Sequence, residues 1–183
     1  MRRDLVEAAR GGDHEAFEVL ATAASDRLYA VARLILRDPH LAEDAIQEAL
    51  VRAWQRLPSL RDPDRFDAWL YRLVVNACAD QGRQLRRWSG QVRPLPMDPS
   101  TGDDTASVAD RDLLERAFTR LKPEQQAIVV LHHHSGFSAA EIAQILDIPE
   151  GTARSRLHYA TEAMRAALQA DARQIVVAQN GTV

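Results

Sequence analysis

The chain has a single cysteine, Cys78, among 183 residues. An intrachain disulfide is therefore excluded, and a cytoplasmic location is expected. Lysine is almost missing: Lys122 is the one lysine among 23 cations, and arginine supplies the rest. Aromatics are 5%, and glycine and proline contribute eight residues each, which excludes collagen-like and low-complexity chains. The longest apolar runs, such as Ala127 to Leu131, are far below the roughly 20 residues that cross a bilayer, so no membrane insertion is expected. No apolar stretch follows Met1-Arg2-Arg3-Asp4, which predicts no signal peptide. Glycine-rich phosphate loops, G-x-S-x-G and H-E-x-x-H are all missing, so neither an enzyme nor a cofactor is expected.

What remains is a chain of near-neutral charge, unevenly spread. Residues 1–92 carry 14 acids and 14 arginines, and residues 113–183 carry seven of each sign. Residues 93–112 hold five acids and two arginines, which accounts for the whole net charge of −3. A neutral chain does not grip nucleic acid by bulk charge, because non-specific affinity scales with the phosphates neutralised. Any nucleic-acid role must rest on local patches or on a partner.

Helical periodicity dominates and strand alternation is nearly absent, so the expected class is all-α. Asp13 to Arg37 and Pro39 to Leu57 read as helices, and Ser59 to Asp67 as a polar loop. A long helix runs from about Phe66 past Asp80, with Gly82 a weak point. From Arg93 to Thr105, three prolines, one glycine and three acids mark a flexible acidic linker. Ser107 with Asp110 and Ser138 with Glu141 have capping-box spacing, and Pro123 is placed to open a helix. The expected layout is two small helical domains, 1–92 and 107–170, joined by linker 93–106 and followed by a tail, 171–183, with little to pack beside.

Three stretches carry candidate chemistry. Ser138 to Leu157 is a helix, a tight turn and a second helix, with Ile142, Leu146, Ile148, Ala153 and Leu157 placed to interlock. Such a helix-turn-helix, over 139–158, seats its second helix in the DNA major groove. Arg154, Ser155, His158 and Tyr159 fall on its outer side, where Arg and His can donate to bases and Arg and Ser can hold phosphates. The same spacing also fits a purely structural helical hairpin.

In the helix from Phe66, a core face of Phe66, Leu70, Leu73, Val74 and Ala77 leaves Trp69, Arg72, Asn76, Asp80, Arg83 and Arg87 in one stripe. Arginines with an aromatic member suit single-stranded nucleic acid, although a solvated face with Trp69 in the core fits equally. From Glu43 to Trp54, the residues Ile46, Leu50 and Trp54 point inward. Asp44, Gln47, Glu48 and Val51 share an outer face suited to a basic partner surface, or simply to solvent. The run His132 to His134 fits no metal site, because helix neighbours point about 100° apart. Cys78 lies on an apolar flank and reads as a core residue.

These motifs, in this order with an acidic linker between them, resemble the sigma factors of bacterial RNA polymerase. The two-module size matches the extracytoplasmic-function (ECF) group of the sigma-70 family, over about residues 10–170. The resemblance implies a subunit that confers promoter specificity on core RNA polymerase and has no catalytic residues, metal or cofactor of its own. It implies that Asp44, Gln47, Glu48 and Leu50 lie at or beneath the surface docking the clamp helices of the largest subunit, and that the second domain meets the flap. It implies a −10 site in which Asn76 and the loop Leu60 to Phe66, with Arg61 and Phe66, hold a flipped base, flanked by Trp69, Arg72 and Arg83. It implies that Arg154, Ser155, Arg156, His158 and Tyr159 meet the −35 duplex. Promoter DNA and an anti-sigma factor are the other partners it implies. Asp147 stands where the family often has a turn glycine, and Tyr159 where it often has arginine. The other class of reading, a stand-alone helix-turn-helix regulator, needs a dimer interface, and no heptad or spare apolar face offers one.

Overall fold

The computed structural model describes residues 2–89 and 113–180, and among these every regular element is helical. Four helices form the first half: α1 (Arg2–Arg10), α2 (His14–Leu36), α3 (Pro39–Arg56) and α4 (Phe66–Ser89). Short 3-10 turns at Leu57–Ser59 and Pro63–Arg65 link α3 to α4. The second half holds α5 (113–119), α6 (Pro123–Val129), a π turn (Val130–His134), α7 (Ala139–Leu146) and α8 (Glu150–Asn180). The acidic linker 93–106 and the Ser107–Asp110 pair lie outside the described residues.

Local chemistry sets the ends of these helices. Asp13 caps α2 by accepting from the Ala16 amide at 3.0 Å, and Asp38 caps α3 by accepting from Leu41 at 3.0 Å. Pro39 follows at the first helical position, where its missing N–H is no loss. Helix α2 ends at Arg37, whose backbone is left-handed at φ 59°. Gly82 does not interrupt α4, which continues to Ser89. One interior glycine costs a helix only about 1 kcal/mol, and packing along the preceding turns offsets that.

Helix α3 is built on alanine. Ala42, Ala45, Ala49 and Ala53 are all 0% exposed, at spacings of three, four and four. Their small side chains let α3 lie close against both α2 and α4. Trp54 is half-buried, its ring tilted 5.1 Å from His14 and 5.2 Å from Phe17.

Helix α1 was not legible in the sequence. Its apolar face is short: Val6 and Ala9 are buried and Leu5 packs partly buried beside them, among charged neighbours. Arg2 pairs with Asp67, and Arg3 lies 2.9 Å from Asp64, so ion pairs reinforce a small apolar contact.

The second half packs on the first. One hydrophobic cluster joins Leu28, Leu70 and Val74 to Ile128, Leu131, Ile142 and Ile145. Tyr71 of α4 meets Phe137 edge to face at 5.0 Å. Arg37, 7% exposed, pairs with Glu115 of α5 and donates to its carbonyl at 3.5 Å. Burial, and then the nearby Arg33, hold the Arg37 guanidinium below its ordinary pKa. The expectation that the tail has little to pack beside is corrected at its start: α8 runs on to Asn180, and buried Asp171 receives Arg120 at 2.8 Å.

The alanine seam yields a stability prediction. Ala49→Leu should destabilise the fold by about 1–3 kcal/mol, because no space separates α3 from its neighbours. Val19→Ala, on a half-exposed site, should change stability by less than about 0.5 kcal/mol. Urea unfolding followed by circular dichroism measures both; a neutral Ala49→Leu would refute the close packing.

Candidate nucleic-acid interface

The helix-turn-helix forms as its spacing predicts. Ser138 caps α7 by accepting from the Glu141 amide at 3.3 Å, while Glu141 accepts from the Ser138 amide at 2.8 Å. The turn is made by Asp147, left-handed at φ 56°, and by Ile148, whose amide donates to the Ala143 carbonyl at 3.0 Å. Asp tolerates this conformation better than most residues. Ile142, Ala143, Ile145 and Ala153 are buried between the two helices.

The outer side of α8 is open. Arg154, Ser155 and His158 are exposed, and Tyr159 is 65% exposed with its ring 5.6 Å from that of His158. Arg154 lies 2.6 Å from Glu150, and Ser155 donates to the Thr152 carbonyl at 3.0 Å. Arg156 is turned away from this group, half-buried in a cleft between α4 and the second half. Four of the five residues singled out for duplex reading therefore share one accessible face.

The stripe on α4 also assembles. Asn76 and Arg83 are exposed, Arg72 is partly exposed, and Arg61 is exposed on the preceding loop. Trp69 is half-buried, with one side against the core and its ring 6.0 Å from Phe66. Phe66 itself is 2% exposed, which corrects its assignment to DNA contact: its ring supports Trp69 from below.

One partner, Arg52, was missed. Arg52 of α3 reaches Asp80 of α4 at 3.0 Å and Glu48 at 2.6 Å, and Asp80 also holds Arg83. Burial alone would raise the Asp80 pKa, but hydrogen bonds from Arg52 and Arg83 outweigh it and keep the carboxyl below its ordinary value. The Glu48–Arg52 and Asp80–Arg83 spacings are visible in the sequence; the Arg52–Asp80 link between helices is not.

On α3, Asp44, Gln47 and Val51 are exposed and Glu48 is partly so, forming an acidic face with an apolar centre. Leu50 lies half-buried beneath it. His132 occupies the π turn with Nδ1 2.8 Å from the Phe137 carbonyl. Among the described residues no cluster of His, Cys, Asp or Glu is placed to hold a metal ion, and no helix is long and apolar enough to cross a membrane. Cys78 is 2% exposed, and burial pushes its thiol up to about 12, far from a reactive thiolate.

Two family models match the chain: sigma-70 region 2 over residues 20–88 and sigma-70 region 4 over residues 111–164. The ECF RNA polymerase sigma factor SigM of Mycobacterium tuberculosis is 36% identical over 84% of this chain and 77% of its own length. Among solved structures, CnrH in complex with the cytosolic domain of CnrY matches with a TM-score of 0.69 at 25% identity, over 93% of this chain and 98% of that one. The sigma factor RpoE of Bartonella quintana, solved with the anti-sigma factor NepR, matches in fold with a TM-score of 0.67 at 24% identity, over 85% and 98%.

The capping box gives a pH prediction. Hydrogen bonds from the Ser138 backbone and then its side chain hold the Glu141 carboxyl below its ordinary value. A lowered folded-state pKa stabilises above the unfolded value and is lost as pH falls through the folded one. Local unfolding of α7, followed by amide exchange, should therefore become easier on acidification through the carboxylate range. Glu141→Gln should remove that part of the pH dependence, and an unchanged acid profile in the variant would contradict it.

Proposed function

We propose, from the premise that this chain belongs to the ECF sigma factors, that its three surfaces divide the work of starting transcription. The family acts with RNA polymerase in promoter-specific initiation, and this chain is a regulatory subunit of that kind. In this reading residues 1–92 form the region 2 domain and residues 107–170 the region 4 domain, with 93–106 the linker and 171–183 the tail. The subunit dissociates from the polymerase, supplies specificity rather than chemistry, and works in the cytoplasm.

The acidic face of α3 is the docking surface. Asp44, Gln47 and Glu48 surround exposed Val51, the pattern of a charged rim around an apolar contact, and a basic clamp surface complements it. The stripe on α4 takes the non-template strand of the −10 element. Asn76 supplies both donor and acceptor for a base edge, half-buried Trp69 offers a ring for stacking, and Arg61, Arg72 and Arg83 meet phosphates. The open side of α8, with Arg154, Ser155, His158 and Tyr159, enters the −35 major groove, while Arg156, turned into the cleft against α4, takes no part. An anti-sigma factor is the proposed restraint on this chain, and the flap of the polymerase the proposed second contact of region 4.

The observation that carries this reading is the order of three accessible surfaces along matched regions: docking face, single-strand stripe and duplex-reading helix. The direct test is a pull-down of the purified chain with core RNA polymerase, followed by run-off transcription. Binding with promoter-dependent product supports it. Tight duplex binding by a dimer without polymerase would favour a stand-alone regulator.

Two predictions follow from the assignment of faces. Reversing Asp44 and Glu48 together to Arg should abolish core binding while circular dichroism stays native, since like charge at a docked surface costs on the order of several kcal/mol. Trp69→Ala should slow open-complex formation roughly tenfold while sparing core binding, because base–aromatic stacking is worth about 1–3 kcal/mol per base. A premelted bubble should restore the Trp69→Ala variant; an unstable variant, or one normal on duplex promoters, would remove Trp69 from the single-strand site.

A further inference from the structure

The stripe proposed for the −10 strand does not face open solvent along its whole length. Arg72 Nη1 lies 3.1 Å from Asp147 Oδ2, the acid at the turn of the helix-turn-helix. One position earlier on α4, Tyr71 is 5% exposed and packs edge to face on Phe137 of the second half. Asn76 and Arg83 line a cleft of about 800 Å³ whose far wall includes Leu121, Leu146 and Arg156. At the end of α2, buried Arg37 and Glu115 tie the same two halves together. The acidic docking face on α3 and the outer side of α8 stand outside these contacts and are exposed.

We infer that Asp147 is a positioning residue that holds Arg72 in place of a DNA phosphate, so that in the free chain the helix-turn-helix occupies this one cation of the single-strand face. The inference rests on the reading of Arg72 as a −10 contact. A carboxylate and a phosphate present the same kind of oxygen acceptors to a guanidinium, so the two compete for one arginine. Asp147 is fixed for the role by its backbone, because it closes α7 with its amide bonded to the Ala143 carbonyl. Its side chain is 80% exposed, so the pair is solvated, screened by salt and readily exchanged. The buried contacts around Tyr71 and Arg37 hold the halves near each other; Asp147 sets what Arg72 meets there. This contact leaves the docking face free, so polymerase can engage the chain before Arg72 is released to the strand.

The test uses the full chain and a fluorescein-labelled, mixed-sequence single-stranded DNA oligonucleotide. Asp147→Asn removes the charge and keeps a residue that accepts the left-handed turn; Asp147→Gly does so by a second route. Both should bind the oligonucleotide about fivefold more tightly at low salt, since an apparent affinity rises with the fraction of competent chain. The gain should shrink as salt rises. Glu7→Gln, which removes one negative charge from α1, should give no gain. Arg72→Ala should cancel the gain in the Asp147→Asn background. If both Asp147 variants fold and bind as the parent does, the proposal is overturned while the −10 reading stands. If Arg72→Ala leaves promoter opening by the holoenzyme intact, the −10 reading of Arg72 fails and the proposal falls with it.

Discussion

The fold depends on α4 being apolar over more than half its circumference. At 100° per residue, Phe66, Leu70, Leu73, Val74 and Ala77 make one buried flank, and Tyr71, Val75 and Cys78 make a second beside it. Together they span roughly 200° of the helix, about twice what one packed neighbour needs. The first flank belongs to the bundle with α2 and α3. The second faces α6 and α7, with Tyr71 against Phe137. Only the remaining arc is left for polar work, and all the candidate strand-binding side chains of α4 are crowded into it. A helix with a single apolar stripe would have left the two halves independent and the basic arc unobstructed on both sides.

This division explains what was legible in the sequence and what was not. Periodicity and capping residues are local, so α2, α3, α7 and the start of α8 were readable from Asp13, Pro39, the Ser138–Glu141 box and the apolar spacing through Leu157. The shared stripe of Trp69, Arg72, Asn76 and Arg83 was readable for the same reason. Helix α1 was hidden because only Val6 and Ala9, with Leu5 partly buried beside them, carry its apolar contact, and long-range ion pairs add to it. The second flank of α4 was hidden because Tyr71 and Val75 resemble ordinary surface or core residues until a partner at long sequence separation is known. Arg37 shows the limit most clearly. An arginine at a helix C-terminus is expected for its favourable interaction with the helix dipole, yet here it is buried and joined to Glu115. Phe66 was placed both in the core and at the DNA, and only burial decides between those roles.

The alanine seam of α3 serves the same geometry. Because Ala42, Ala45, Ala49 and Ala53 bring α3 close to α4, Arg52 can cross from one helix to the other and meet Asp80. The acidic face of α3 and the basic stripe are thereby joined through Glu48, Arg52, Asp80 and Arg83 in one line of alternating charge. Larger side chains on the seam would separate the helices and break that line without touching any of its members.

Carboxylate partners recur among the arginines that this chain offers to nucleic acid. Arg72 faces Asp147, Arg83 faces Asp80 and Arg154 faces Glu150. Each of these arginines must exchange a carboxylate for a phosphate, so counterion release is offset by a lost ion pair. The net gain per contact is then small, and it becomes smaller still as salt weakens both terms. A chain built this way cannot accumulate affinity for DNA from a few strong anchors. It must sum many weak exchanges, and that sum is favourable only when a large scaffold presents both DNA-facing surfaces to one molecule at once. For a sigma factor, the neutral balance of both halves is therefore part of the mechanism: it ties promoter recognition to the polymerase that supplies the scaffold.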